Sequence, residues 1–492
     1  MQNKHIDQAI SIAILGGGVA GSTIALRLAE LGIACTLIEK SNSLVNGPPI
    51  CHLHAGGNLY REISDQQCLT LLKQSIETLK VYPQSVNKRP TVIALPHDDK
   101  AQPEDLLPRL QLLQQHYSQL IKEDASNEVL GPAEDYFEFF TKEQVQALAQ
   151  CTAVKYPQTA EEWMIPVAKN LDINKLQFPL LMVQEYGLSG FRFAAIVSLA
   201  LEKLSACTVL TNTKVTDIKQ QPNESWELTL TDSLSGENQQ QHFDYLINAC
   251  GFRSGEIDDM LKQPRQRMVE FKAAYVAHWP QAASQNTAWP EVIFYGERGT
   301  PNGMAQLTPY PDGYFQLHGM TQDITLFNDG LVSSNASSAQ PQLDARFIKK
   351  IDSHWPADSA NQRTLGSISH MAKYLPDFAQ ASSAAKPLFG AQQIPGDDPA
   401  LRAADVSFAG HSYARTEIVK ASSALTAADH ILQHLYDNKL LATDFDAQSI
   451  EQHAMPITQS ITEEAVDKLA LDIAKQRHYP TALAKNFSHY TL

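Results

Sequence analysis

Gly16, Gly18 and Gly21 stand on the G-x-G-x-x-G spacing directly after a short apolar run, Ile12-Ala-Ile-Leu15. Such a run reads as a buried strand, and glycines at this spacing form the turn that cradles a dinucleotide diphosphate. Each has its own task. Gly16 allows the tight turn out of the strand, Gly18 presents no Cβ to an approaching pyrophosphate, and Gly21 lets the next helix pack closely on the sheet. The helix expected from Val19 to about Leu31 carries Ala20, Ile24, Ala25, Leu28 and Leu31 on one stripe. Its unpaired N–H groups and positive dipole end point at the same anion. A second strand, Ala34-Cys-Thr-Leu-Ile38, ends on Glu39, where a carboxylate would hydrogen-bond a ribose diol. An acid there favours a free 2′-hydroxyl, so FAD or NAD is expected over NADP.

A second group with chemical potential is Cys51-His-Leu-His-Ala-Gly-Gly-Asn-Leu-Tyr60. Paired glycines let backbone approach a flat ring, and His52 or His54 would supply an acid/base group that titrates near neutrality. A surface loop with idle histidines is the plain alternative. Further along, Tyr245-Leu-Ile-Asn-Ala-Cys-Gly251 reads as a buried strand that returns to the nucleotide, with Arg253, Ser254 and Gly255 behind it. Val406-Ser-Phe-Ala-Gly410 reads as another such return, leading through 411–416 into a helix from about Glu417 to Leu435. Aromatic strand residues Tyr275 and Tyr310 are candidates for contact with a substrate, although core packing is the commoner fate of such side chains.

These residues need a scaffold, and the patterning supplies one. Helical periodicity runs over 64–80, 106–120, 142–148 and 191–204. Alternating strands separated by turns such as Pro311-Asp-Gly313 run over 268–276, 291–295, 305–309 and 313–319. The fold class expected is α/β: a Rossmann-like nucleotide domain interleaved with a mostly antiparallel sheet domain. The nucleotide domain is assigned 8–80, 181–258 and 385–436, the sheet or cap domain 81–180 and 259–384, and 437–492 a polar, partly helical tail. Residues 98–150 fit an inserted cap or a plain structural excursion equally well.

With 492 residues, 43 % of them apolar and 19 % charged, the chain has an ordinary globular balance. A net charge of −15 argues against nucleic acid and anionic membrane surfaces as primary partners. No apolar run is long enough for a membrane span, and Met1-Gln-Asn-Lys-His-Ile lacks the core of a signal peptide. Cysteines 35, 51, 68, 151, 207 and 250 show neither a disulfide framework nor metal spacing. A cytoplasmic location without a metal is therefore expected, and peripheral association with the inner face of the membrane stays open.

Taken together, Gly16 to Glu39 and Asp244 to Gly255 make the chain resemble FAD-dependent oxidoreductases of the D-amino-acid oxidase superfamily. That group includes glycerol-3-phosphate dehydrogenases, malate:quinone oxidoreductases and dimethylglycine dehydrogenases. The resemblance implies FAD as cofactor, a small-molecule substrate, and oxygen, a quinone or an electron-transfer protein as electron acceptor. It implies cofactor contacts at Gly16, Gly18, Val19, Ala20, Gly21, Glu39, Lys40, His54, Ala55, Gly56, Val215, Ala249, Gly251, Gly410, Thr416 and Glu417. His54-Ala55-Gly56 is similar to the segment where some members attach FAD covalently to histidine. Thr308-Pro-Tyr-Pro-Asp-Gly313 is similar to a strand-turn that faces substrate. His54, Tyr275 and Tyr310 are the catalytic candidates. The comparable stretch to the family's carboxylate-clamping arginine, Gly390-Ala-Gln-Gln-Ile-Pro, has no arginine. A carboxylate substrate would then need Arg298, Arg402 or Arg415. A flavin monooxygenase would carry aspartate where Ala409-Gly410-His411-Ser412 has histidine. A disulfide reductase would need a second glycine motif and a C-x-x-C pair, neither of which is present. An FAD-binding accessory protein, docking a protein partner through 98–165 and 440–492, is the alternative from another class.

Overall fold

The computed structural model describes residues 10–47, 53–55, 61, 63–285, 287–353, 355–442, 445–446, 448–451 and 454–486. Ile12–Leu15 is buried at every position and forms the middle of a six-stranded sheet. The strand order is Val406–Phe408, Tyr413–Thr416, Tyr245–Asn248, Ile12–Leu15, Cys35–Ile38 and Cys207–Leu210. All neighbours are parallel except the first pair, which is antiparallel. Strands covered on both faces have to be apolar throughout, which is why these runs lack polar alternation. Ile12, Ile14 and Leu37 pack with helices Val19–Glu30, Gly190–Leu201 and Ser423–Asp437. Ala13, Leu15 and Ile38 face a three-stranded antiparallel sheet, through Ile218, Trp226 and Leu228.

A ten-stranded sheet is built around the long strand Arg267–His278. Leu388–Pro395 pairs with its first two-thirds and Tyr314–Gly319 with its last third, both antiparallel. Its outer face carries Val269, Phe271, Ala273 and Tyr275 into an aromatic core with Phe347 and Trp355. A small fourth sheet sets Leu53–Ala55 and Val86–Asn87 on either side of Tyr186–Leu188.

Three expectations change. Residues 411–416 do not lead directly into a helix: Tyr413–Thr416 is a buried strand, and the helix starts at Ser423. The sequence disguises that strand because Arg415 interrupts it, and its charge is neutralised inside the protein. Phe137–Phe140, inside the stretch 98–150 for which no strand is expected, is an edge strand paired with Leu180–Val183. The terminal segment, expected as a polar, partly helical tail, is helical and also packs on the core. Met455, Val466, Ala470, Ala474 and Leu483 belong to the same buried cluster as Ile14 and Ile24, and helix Glu463–Gln476 lies beside Gly190–Leu201.

The parallel sheet and the long strand meet at a buried carboxylate. Asp258 is 0 % exposed. It accepts from Arg415 Nε at 2.5 Å, from the Tyr413 hydroxyl at 2.8 Å, and from Arg267. Asn248 Nδ2 donates to the Tyr413 hydroxyl at 2.9 Å. Arg267 also lies 3.8 Å from Glu417, whose carboxylate takes Arg265. Breaking one member of a buried ion network leaves its partners charged and unpaired. Asp258→Ala is therefore expected to cost about 3–5 kcal/mol, read from the urea unfolding midpoint. An unchanged midpoint would show that the two sheets are held by something else.

Candidate functional site

The glycine turn is steric in origin. Gly16 has φ +99°, a conformation closed to residues with a Cβ, and its N–H donates to Ile38 O at 2.8 Å. A Cβ on Gly21 would lie 1.9 Å from Gly16 O, whereas one on Gly18 would meet nothing within 4 Å. The helix that starts at Val19 therefore presses onto the turn at Gly21 and leaves open space before Gly18. No side chain caps that helix and no acid stands in its first turn. Among the described residues no side chain meets its N–H groups and positive end in that space. Glu39 closes the other side: Oε2 accepts from Gly17 N–H at 2.7 Å and Oε1 from Ser41 N–H at 2.8 Å. A carboxylate offers about four acceptor positions, so two hydroxyls of a ribose can still be taken. Lys40 is exposed beside it.

Parallel strands bring further candidates to this end of the sheet. Leu15 is in register with Asn248, and Asn248 with Arg415. Ala249, Gly251, Thr416 and Glu417 follow at once. Glu417 is committed to Arg265, and Thr416 Oγ1 to Asn248 O. Thr213 N–H donates to Glu39 O at 2.9 Å, which sets Val215 two residues along the strand from the acid. Cys250 sits under the turn, Sγ 3.4 Å from Leu15 O, and burial pushes its thiol up to about 12. Gly410 does not join this group. The turn 409–412 connects an antiparallel pair and lies at the opposite end of the sheet, before Tyr413. Reading 406–410 as a parallel strand put it at the wrong end.

A polar surface lines the inner face of the ten-stranded sheet. Direct cross-strand pairs share a face, and the registers place Glu270, Lys272, Gln392, Gln316, His318, Gln306, Thr308 and Glu291 on one side. All but Gln392 are buried. Ala274, Val276, Leu388 and Tyr310 on that face pack into the cluster that contains Ile24 and Ile247, so it is turned towards the parallel sheet. Lys272 Nζ lies 2.9 Å from Glu270 Oε2 and donates to Gln392 Oε1 at 3.2 Å. Burial pulls the Lys272 amine below its usual range, only partly opposed by Glu270. Burial works to raise the Glu270 carboxyl, but Lys272 and Arg298 outweigh it and hold it low. At the far end Arg89 and Glu291, both fully buried, pair at 2.7 Å. Among the described residues Arg89 Nη2, Asn87 Oδ1 and Gln316 Nε2 have no hydrogen-bond partner. Buried polar atoms are rarely left so unless something else meets them.

The catalytic candidates separate on this map. Tyr310 lies on the polar face, its hydroxyl donating to Gln316 Oε1 at 3.3 Å. Tyr275 points to the opposite face, where its hydroxyl donates to Ile324 O at 2.5 Å inside the aromatic core. Strand alternation took it away from the site, and a catalytic role is withdrawn. His54 and Ala55 lie in the strand paired with Tyr186–Leu188, His54 opposite Gly187. Gly187 is in turn opposite Asn87, and a Cβ on it would lie 2.7 Å from Arg89 Nη2. Gly56, with Cys51, His52 and Tyr60, lies outside the described residues. Arg415 is spent on Asp258, Arg298 contacts Glu270, and Arg402 Nη1 donates to Pro399 O and Leu401 O, both at 2.8 Å. Lys272, Gln306, Gln316 and His318 were missed as site residues. Their alternation with apolar neighbours is the ordinary signature of a solvent face, and only the packing of one sheet on the other buries it.

No protein-family model matches the chain, and no curated protein sequence matches it. Solved structures do. L-amino acid deaminase from Proteus vulgaris superposes with a TM-score of 0.56 at 12 % identity, over 92 % of this chain and 98 % of that one. Glycerol-3-phosphate dehydrogenase from Bacillus halodurans, solved with FAD, gives 0.53 at 11 %, over 96 % and 72 %. L-alpha-glycerophosphate oxidase from Mycoplasma pneumoniae, with FAD bound, gives 0.52 at 15 %, over 89 % and 98 %. The fold is thus a mixed α/β fold shared with these enzymes, two of which were solved with FAD.

The two inner glycines should behave differently on substitution. Gly21→Ala is expected to cost more than about 3 kcal/mol, as a steric clash in a buried contact does. Gly18→Ala should stay within about 1 kcal/mol, the range of an N-cap change. Equal denaturation midpoints for the two variants would contradict the close approach at Gly21.

Proposed function

We propose that the chain is an FAD-dependent oxidoreductase with FAD held by the turn Gly16–Gly21. The observation that carries this reading is the open space before Gly18, bounded by an uncapped helix N-terminus and by Glu39. A diphosphate there would meet N–H groups without a clashing Cβ, and a ribose would meet the carboxylate. In this reading the parallel sheet belongs to a Rossmann-like FAD domain drawn from 8–80, 181–258 and 385–436, less Leu180–Val183 and Leu388–Pro395, which are strands of the ten-stranded sheet. Residues 81–180 and 259–384 form the substrate and cap domain interleaved with it. Among the described residues no helix is long and apolar enough to cross a membrane.

The substrate is a small polar molecule, a 2-hydroxy acid, a polyol phosphate or an amine, bound against the polar face of the ten-stranded sheet. When bound, FAD supplies the hydride acceptor for a C–H bond next to a hydroxyl or amine. Lys272, Gln316 and Tyr310 offer donors and acceptors that fix the substrate's orientation, and the aromatic and apolar packing around them excludes water. His54 is the candidate to take the hydroxyl or amine proton. Electrons pass on to oxygen, a quinone or an electron-transfer protein. In the accessory-protein alternative, helix Glu463–Gln476 is anchored to the core through Val466, Ala470 and Ala474, which leaves only its outer face for a partner.

Purified protein should be yellow with a bound-flavin spectrum, and Gly18→Val should fold yet retain no FAD. Wild-type protein that stays colourless and cannot be reconstituted would sink the reading. Substrate class is then read by anaerobic flavin bleaching with 2-hydroxy acids, polyol phosphates, amino acids and N-methyl amines. With the substrate so found, His54→Ala should slow flavin reduction by about 10²-fold or more. Reduction at the wild-type rate would remove His54 from the chemistry.

A further inference from the structure

The loop after Glu39 is held in an unfavourable shape. Val45 has φ +47°, left-handed backbone that a β-branched residue adopts only where its surroundings impose it. Two sets of contacts do so. Val45 N–H donates to Gly17 O at 2.7 Å, and Gly17 N–H is the group that Glu39 takes. From the far end of the chain, Arg477 Nη1 donates to Val45 O at 2.8 Å and Nη2 to Leu44 O at 2.9 Å and Ser43 Oγ at 3.4 Å. Every described hydrogen bond of this guanidinium goes to the loop. Leu44 then packs directly on the turn, its Cδ2 2.6 Å from where a Gly17 Cβ would stand.

Arg477 is itself firmly placed. It is the C-cap residue of helix Glu463–Gln476. Val466, Ala470, Ile473 and Ala474 bury that helix in the core, and Arg192 pairs with its Asp467. Two residues on, the Tyr479 hydroxyl donates to Pro387 O at 3.0 Å. A fork that reaches two adjacent carbonyls is a geometry only arginine supplies.

We propose that Arg477 is a positioning residue for the cofactor turn. It holds Ser43–Val45 against Gly17 and so sets Gly17 and Glu39 for the adenosine half of FAD; this rests on the FAD assignment above. The C-terminal segment thereby latches the cofactor site from outside it.

The test compares full-length wild type, R477A, R477K, V45G and V45G/R477A. FAD is removed, its dissociation constant is measured by flavin fluorescence on re-addition, and the apo-protein urea midpoint is followed alongside. R477A should bind FAD about tenfold more weakly or worse, the effect of losing charge-assisted bonds to two carbonyls. R477K should lose less. V45G/R477A should recover part of the affinity, because glycine takes φ +47° without help. Affinity of R477A within about twofold of wild type would overturn the proposal, a tolerance set by the scatter of additive, uncoupled changes. So would a double variant that recovers nothing. Should R477A fail to fold, R477K and an added V45G/R477K take its place: R477K should bind FAD more than about twofold more weakly than wild type and V45G/R477K should recover part of that loss, and failure of either overturns the proposal. Wild-type protein that takes up no FAD would overturn the cofactor assignment and the latch with it, a result distinct from tight wild-type binding with an indifferent R477A.

Discussion

One buried carboxylate holds the architecture in register. Asp258 takes two guanidinium groups and a phenol without access to water. Arg415 and Tyr413 come from the parallel sheet, Arg267 from the first residue of the long antiparallel strand. In so dry a setting, charge that is matched fixes geometry tightly, and charge that is unmatched is costly. The inner face of the large sheet can be polar and buried because this joint sets where that face lies against the parallel sheet.

The polar face follows a different economy. Strands Arg267–His278, Ala305–Pro309 and Tyr314–Gly319 each put apolar residues outwards into the core and polar residues inwards. A sheet with one wet face ordinarily turns it to solvent. Here it is turned inwards, so Gln316 Nε2 and Arg89 Nη2 are left without partners among the described residues. Among the described residues, that unmet hydrogen-bonding capacity is what makes the region a candidate binding surface, more than any single residue type does.

Much of the parallel sheet was legible because its signal is local. Glycine spacing, a helical stripe and a terminal acid lie within Ile12–Glu39, and steric contacts at Gly16 and Gly21 match the reasons those glycines were expected to be there. Helices such as Lys142–Leu148 could be read from period alone. What stayed hidden depends on distant partners. Tyr413–Thr416 does not look like a strand until Asp258 neutralises Arg415. Tyr275 looks available until alternation is tied to a register, since Leu317 opposite it fixes which face it shares. Gly410 shows the same limit: a strand ending in glycine has no direction until its neighbour is known. The terminal helix carries an ordinary amphipathic pattern, with nothing in its sequence to say that it lies over residues 43–45.

The bond from Arg477 to Val45 spans 432 positions of the chain. The turn it steadies leaves the ribosome well over four hundred residues before the arginine does. At about 5–20 residues per second, synthesis separates the two by roughly 20 seconds to a minute and a half. During that interval the nucleotide turn has to exist without its outer brace, with Val45 free to relax to ordinary backbone. Nascent chains would therefore acquire their final binding geometry in one late step, only after Arg477 has emerged.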